Sequence, residues 1–309
     1  MALRPIDNAL PITPDRLKKH VKVVSVPIQK QSEFGGVNDE NKASLPPYTD
    51  STIDYVSSVD LKPISDPESK IQGLIEGLDS KDWTKVCESL NNARRFALYH
   101  SALLLPVLEK VMLVVVKAMK NPRSALCKTS IMASSDIFNA FGDQLSDSTG
   151  DAFDHLLLQL LLKASQDKKF VCEEADKTLN AMVKSMTPLP LLNKLKSYVS
   201  HVNPRVRAKA AISISNSVSK MWWGSVWYGF QGLERMNEFG LVALVQMAAD
   251  LLNDRLPEAR EAARSTVISI HEAYTGNEEQ KQEEWQDFCQ SSLPPIHAQS
   301  MLKITATSQ

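Results

Sequence analysis

A five-residue frame recurs along the middle of the chain, and this recurrence limits the possible folds more than any other feature. Val86-Cys87-Glu88-Ser89-Leu90, Leu126-Cys127-Lys128-Thr129-Ser130, Val171-Cys172-Glu173-Glu174-Ala175, Val206-Arg207-Ala208-Lys209-Ala210 and Ala259-Arg260-Glu261-Ala262-Ala263 each follow a short polar turn. Their second positions stand at 87, 127, 172, 207 and 260, so the steps are 40, 45, 35 and 53 residues. HEAT and armadillo units run at about 40–47 residues. The frame has a packing logic. An apolar residue and a small one, four positions apart, share one helix face, and small side chains let neighbouring helices approach closely. Apolar stretches before the turns (residues 103–119, 153–164, 189–199 and 241–252) supply the opposite wall. A unit of this size cannot bury its stripe alone, so the units must stack. The expectation is an all-α, HEAT/ARM-type α-solenoid of five to six helical hairpins.

Composition narrows the function classes. Acidic and basic residues nearly cancel, 36 against 35, which leaves no basic excess for nucleic-acid binding. No apolar run reaches the roughly 18 residues of a membrane span. The four cysteines lie far apart without a Cys-x-x-Cys pair, which fits free thiols in a reducing compartment and a cytoplasmic location. Residues 1–66 carry scattered prolines and keep no helical period, so they are expected as a disordered arm. Up to residue 68 that arm holds eight Lys/Arg against ten Asp/Glu, so it is no basic tether. The repeat domain is expected over residues 67–290, with a flexible tail over 291–309. Residues 277–290 look like half of a sixth unit, with a polar outer face. The 53-residue step contains Met221-Trp222-Trp223-Gly224-Ser225-Val226-Trp227-Tyr228-Gly229-Phe230. That aromatic block either wedges between units or offers a partner site, and packing is the favoured reading.

Catalytic constellations are missing from the sequence. The six histidines are dispersed, and neither a phosphate-binding glycine loop nor a nucleophile elbow is present. Cys87, Cys127 and Cys172 occupy equivalent frame positions, about 10 Å apart at helix-packing distance, too far to share one zinc. They are expected as small core residues. The chain is therefore expected to be a non-enzymatic protein–protein interaction module with no cofactor and no metal. The turns themselves are informative. They hold Lys81, Lys85, Lys120, Arg123, Lys168, Lys169, Arg205 and Arg255 against Asp79, Asp82, Asp167 and Asp254. In a repeat stack these turns line up, giving a basic row suited to an acidic protein surface. The plainer alternative is that turns are polar and that their cations offset helix dipoles.

A family resemblance bears on this choice. Asp82-Trp83, Asn91-Asn92-Ala93-Arg94-Arg95-Phe96, Asn121-Pro122-Arg123-Ser124, the block from Cys172 to Val183 and Val202-Asn203-Pro204-Arg205-Val206-Arg207 stand in an order and spacing that resemble the TOG domain. This is the tubulin-binding HEAT module of microtubule regulators, and the likeness is to its CLASP and crescerin branch, over residues 69–274. The resemblance implies a paddle whose within-repeat turns face tubulin or microtubules, acting on microtubule dynamics in the cytoskeleton. Carried over by position, it points to Trp83 as the anchor and to Arg123, Lys168, Lys169, Arg205 and Arg255 as the basic row. Trp83 has a second reading, as a residue packing on the preceding helix. Several features depart from the family pattern: one module instead of an array, a truncated sixth unit, and Asp254 beside Arg255. An adaptor that scaffolds other proteins is the alternative function.

Overall fold

The computed structural model of the chain describes residues 55–226, 231–276 and 280–307. Residues 1–54 of the expected arm, and residues 227–230 of the aromatic block, lie outside them. Helices α1 (Pro67–Leu78) and α2 (Trp83–Tyr99) form the first hairpin. The short α3 (Ser101–Leu104) leads to the second, α4 (Leu108–Met119) and α5 (Ser124–Phe141). A five-residue α6 (Gln144–Ser148) precedes the third, α7 (Asp151–Ala164) and α8 (Lys169–Ser185). In the fourth, α9 (Pro188–Leu195) runs on through a 3-10 turn to α10 (Pro204–Val226). An extra helix, α11 (Gln231–Phe239), precedes the fifth, α12 (Leu241–Leu252) and α13 (Pro257–Thr275). The long step between the last two frames is thus explained by a 23-residue α10 followed by the inserted α11.

The frame does what its residue types dictate. Its first and last residues are buried in every unit: Val86 and Leu90, Leu126 and Ser130, Val171 and Ala175, Val206 and Ala210, Ala259 and Ala263. Buried hydroxyls on these inner helices return their hydrogen bond to the helix itself, as Ser134 does to Ser130 O (2.9 Å), Ser217 to Ser213 O (2.8 Å) and Thr266 to Ala262 O (2.8 Å). A small polar residue can therefore stay in the interface without an orphaned group. The frame cysteines divide. Cys87 and Cys127 are buried, whereas Cys172 is half-exposed with its Sγ 2.9 Å from Ala164 O. Trp222 is half-buried against the core, the part of the aromatic block whose packing is described.

Cross-links between inner helices hold them in register. Thr178 Oγ1 of α8 donates to Ile131 O of α5 (3.2 Å), Lys209 of α10 pairs with Asp176 of α8 (2.7 Å), and Ser219 of α10 meets Ser269 of α13 (3.0 Å). Each link joins residues at similar depth in the two helices, so the inner helices run side by side in one direction. Lys220 of α10 reaches the open C-terminus of α8 and donates to the carbonyls of Val183, Lys184 and Met186 at 3.0, 2.8 and 2.7 Å. A cation at a helix C-terminus is stabilising. Gly142, which ends α5 at φ 50°, sits so near α8 that a Cβ would lie 2.8 Å from Ser185 O.

Two expected boundaries move. The arm was expected to extend to residue 66, yet residues 55–61 lie on the first two units. Arg94, with no exposed surface, donates from Nε to Asp136 Oδ2 (2.6 Å), and Asp136 is 2% exposed. The same guanidinium donates from Nη1 to Val56 O (2.8 Å) and from Nη2 to Ser58 Oγ (3.1 Å), while Ser58 Oγ donates to Asp136 Oδ1 (2.7 Å). Tyr99 Oη donates to Leu61 O (2.7 Å), and Leu61 is buried. A buried guanidinium needs all its donors satisfied, and this strap supplies two of the acceptors. At the other end, residues 291–309 were expected as a flexible tail. Instead α14 (Gln280–Ser292) and α15 (Pro295–Ala306) make a sixth hairpin, burying Trp285, Cys289, Leu293, Ala298 and Met301. The sixth unit is a whole hairpin, not a half. Pro295 stands at the first position of α15, where proline opens a helix.

The ion pairs between units, with the strap, yield three predictions. Arg94→Ala leaves Asp136 buried and unpaired, so urea denaturation should show a loss of about 3–5 kcal/mol. A chain beginning at Pro67 keeps the Arg94–Asp136 pair but loses the strap's two acceptors and the buried Leu61, so it should lose about 2–5 kcal/mol. In the fifth unit Asp254, 9% exposed, pairs with Arg207 Nε at 2.6 Å and accepts from Leu256 N at 2.9 Å. Burial opposes its ionisation, but these hydrogen bonds and the Arg207 charge prevail and hold its pKa below the ordinary carboxylate value. A depressed folded pKa means stabilisation that is full above the unfolded value, near pH 4, and lost as pH falls through the folded one. The stability gap between the natural chain and Asp254→Asn should therefore be constant near neutrality and shrink below about pH 4.

Candidate protein-binding edge

Because the inner helices run in one direction and in register, the N-termini of α2, α5, α8, α10 and α13 share one edge with the turns that precede them. Those turns are built alike. Asn121 Oδ1 accepts from Arg123 N (2.9 Å), Asn203 Oδ1 from Arg205 N (2.9 Å) and Asp254 Oδ1 from Leu256 N (2.9 Å). A side-chain oxygen bonding the backbone two residues on closes a tight turn. Pro204 and Pro257 then start their helices. In the first turn Asp82 caps α2, accepting from Thr84 N (3.0 Å) and Thr84 Oγ1 (2.7 Å). The hydrogen bonds from Thr84, side chain first and then backbone, lower its pKa.

Direct side-chain contacts tie adjacent turns together. The Arg123 guanidinium lies over the Trp83 ring, 5.1 Å from its centroid, within cation–π range. Trp83 is half-buried and packs against the core, as the second of its two sequence readings has it. Arg205 of the fourth turn reaches back to the third, donating to Asp167 Oδ1 (2.5 Å) and Ser165 O (3.3 Å). Arg207 ties the fourth turn to Asp254 of the fifth. Among the expected cations, Arg123, Lys168, Lys169, Arg205 and Arg255 are all exposed. Lys169 lies 3.8 Å from Glu173 on its own helix.

Asp254 overturns one expectation. It stands beside Arg255 in sequence, but its carboxylate turns inward to Arg207, so it does not screen Arg255 at the surface. Asp79 is similarly engaged, with Lys110 at 3.0 Å, and Asp82 with its helix cap. Of the four turn acids, Asp167 is the one whose carboxylate both stays exposed and pairs with a cation of the row.

Helix-dipole compensation does not explain the cations. Arg123 and Lys168 are the N-cap residues of α5 and α8, Lys169 opens α8, and Arg205 is in the first turn of α10. The N-terminus carries the positive end of the macrodipole, so a cation there costs about 0.3–1 kcal/mol. Two apolar residues on this edge escaped the sequence reading. Val202, immediately before Asn203 and Arg205, is 91% exposed, and Phe170, beside Lys169, is 42% exposed. An apolar residue inside a polar turn was the available signal for Val202. Among the described residues, no cluster of three or more His, Cys, Asp or Glu side chains is arranged to hold a metal ion.

Comparison with known proteins agrees with this architecture. The family model "CLASP N terminal" matches residues 97–293. The "TOG array regulator of axonemal microtubules protein 1" of Mus musculus is 30% identical over 191 residues, covering 60% of this chain and 10% of that protein. Its Homo sapiens counterpart is 29% identical over 170 residues, 55% of this chain and 10% of that one. The chain thus spans about a tenth of the length of these relatives. Among solved structures, the MAST/Orbit N-terminal domain superposes with a TM-score of 0.51 at 16% identity, over 80% of this chain and 99% of that one. A TOG domain of C. elegans Zyg9 gives 0.54 at 13% identity, over 80% and 89%. Through its match over most of the helical repeats, the chain belongs to the CLASP N-terminal family of TOG-type domains.

Proposed function

We propose that this domain binds tubulin through its turn edge and acts in that way on microtubules of the cytoplasmic cytoskeleton. One observation carries the proposal. Exposed cations stand at consecutive helix N-termini, where they weaken the fold, together with the exposed apolar side chains of Phe170 and Val202 and the half-buried Trp83. Residues that oppose stability and face solvent in a row are accounted for by a partner. The positive row and its aligned helix dipoles steer an acidic protein, and the apolar groups supply contact area once water is expelled. Tubulin is the acidic partner favoured by the family and by relatives named as regulators of axonemal microtubules.

Size-exclusion chromatography with purified tubulin, followed by a titration, tests this directly. The natural chain should co-elute, with affinity falling as salt rises. Trp83→Ala should weaken binding by about tenfold or more, as loss of an interface hot spot does. Lys168→Glu combined with Lys169→Glu should abolish co-elution while leaving the melting temperature nearly unchanged or raised. A natural chain that ignores tubulin, or a charge-reversed one that binds equally well, overturns the proposal in favour of an adaptor for other proteins.

A further inference from the structure

The two aspartates that precede basic residues in the third and fifth turns behave in opposite ways. Asp254 is withdrawn from the surface by Arg207, and Arg255 is left exposed. Asp167 has no buried cation to take it in. Its side chain is 89% exposed, and its one ion-pair partner among the described residues is Arg205, at 2.5 Å. Arg205 of α10 reaches the turn that follows α7 to make this pair, with Ser165 O as a second acceptor at 3.3 Å. The nearby Lys209 is taken by Asp176 at 2.7 Å and Lys169 stands near Glu173, so neither replaces Arg205 as the counter-ion of Asp167.

We infer that Asp167 is a built-in competitor for Arg205, so that Arg205 joins the binding row only when an acidic group of the partner displaces Asp167. This rests on the turn edge being the tubulin-binding surface. Asp167 then acts as a specificity-setting residue. A partner that presents a carboxylate in line with the fourth turn recovers the lost pair through Arg205. A partner that is merely negative overall meets an uncompensated anion there and is disfavoured, as like charges at an interface are. The pair is solvent-exposed, so it is weak enough to exchange on binding.

A double-mutant cycle on tubulin affinity separates this from a general charge effect. Asp167→Asn should tighten binding by about two- to fivefold, the range an exposed pair allows. Arg205→Gln alone should weaken it by less than about twofold, because its side chain is already engaged. In the Asp167→Asn background the same Arg205→Gln change should cost about fivefold, because the freed guanidinium now contributes fully. Asp167→Glu, which restores the competitor, should return affinity to that of the natural chain. If Arg205→Gln has the same effect in both backgrounds, Asp167 acts only through its charge and the inference fails. If the coupling appears in the melting temperature and not in affinity, the pair is a structural tie between units and the inference again fails. Failure of the natural chain to bind tubulin at all counts against the turn-edge reading itself, a result distinct from either.

Discussion

Burial of one small-and-apolar stripe on each inner helix governs the rest of the molecule. The stripe includes Val86 and Leu90, Val171 and Ala175, and Val206 and Ala210. Close helix approach is possible only where neighbouring stripes meet at matching depth. That requirement sets the register, and the register brings the N-termini of five inner helices to one edge. No turn residue chooses this alignment. The turns arrive there because the helices behind them can pack in no other register without leaving small residues opposite voids, at a cost that grows with cavity volume.

Two kinds of ion pair are laid over this apolar frame. Arg94 with Asp136 and Arg207 with Asp254 are shielded from solvent, join neighbouring units, and in the first case also bind the strap at residues 55–58. Pairs of this kind contribute little net stability against an apolar replacement, but losing one partner is costly. They enforce which surfaces meet. Arg205 with Asp167 is exposed and exchangeable. The Arg207 pair withdraws the Asp254 carboxylate from the edge, and the Arg205 pair leaves that of Asp167 exposed there. The charge that a partner meets is therefore more positive than the turn sequences indicate at the fifth turn, and less positive at the fourth.

Most of the fold was legible in the chain because helical repeats are a local signal. Each frame shows its period, its small residues and its preceding turn within a window of about 20 residues. Misreadings fell where local signals mislead. Residues 291–309 were expected as a flexible tail although Pro295 starts α15, and the strap at 55–61 has no period of its own because its order comes from Arg94, Asp136 and Tyr99 on other helices. At the edge, the cations were visible as residue types, and Val202 could have been. Their orientation was not visible.

The sequence by itself determined the helical repeat, the identity of the inner helices, and the basic character of the turns. All three follow from residue types at fixed spacings along one chain. Only the tertiary structure decided which carboxylate meets which cation. Arg94 and Asp136 lie 42 positions apart, Arg207 and Asp254 lie 47 apart, and Arg205 and Asp167 lie 38 apart. Each distance is close to one repeat, so each partner is set by how neighbouring units stack and not by adjacency in the chain. For that reason Asp254, next to Arg255 in sequence, belongs in space to Arg207.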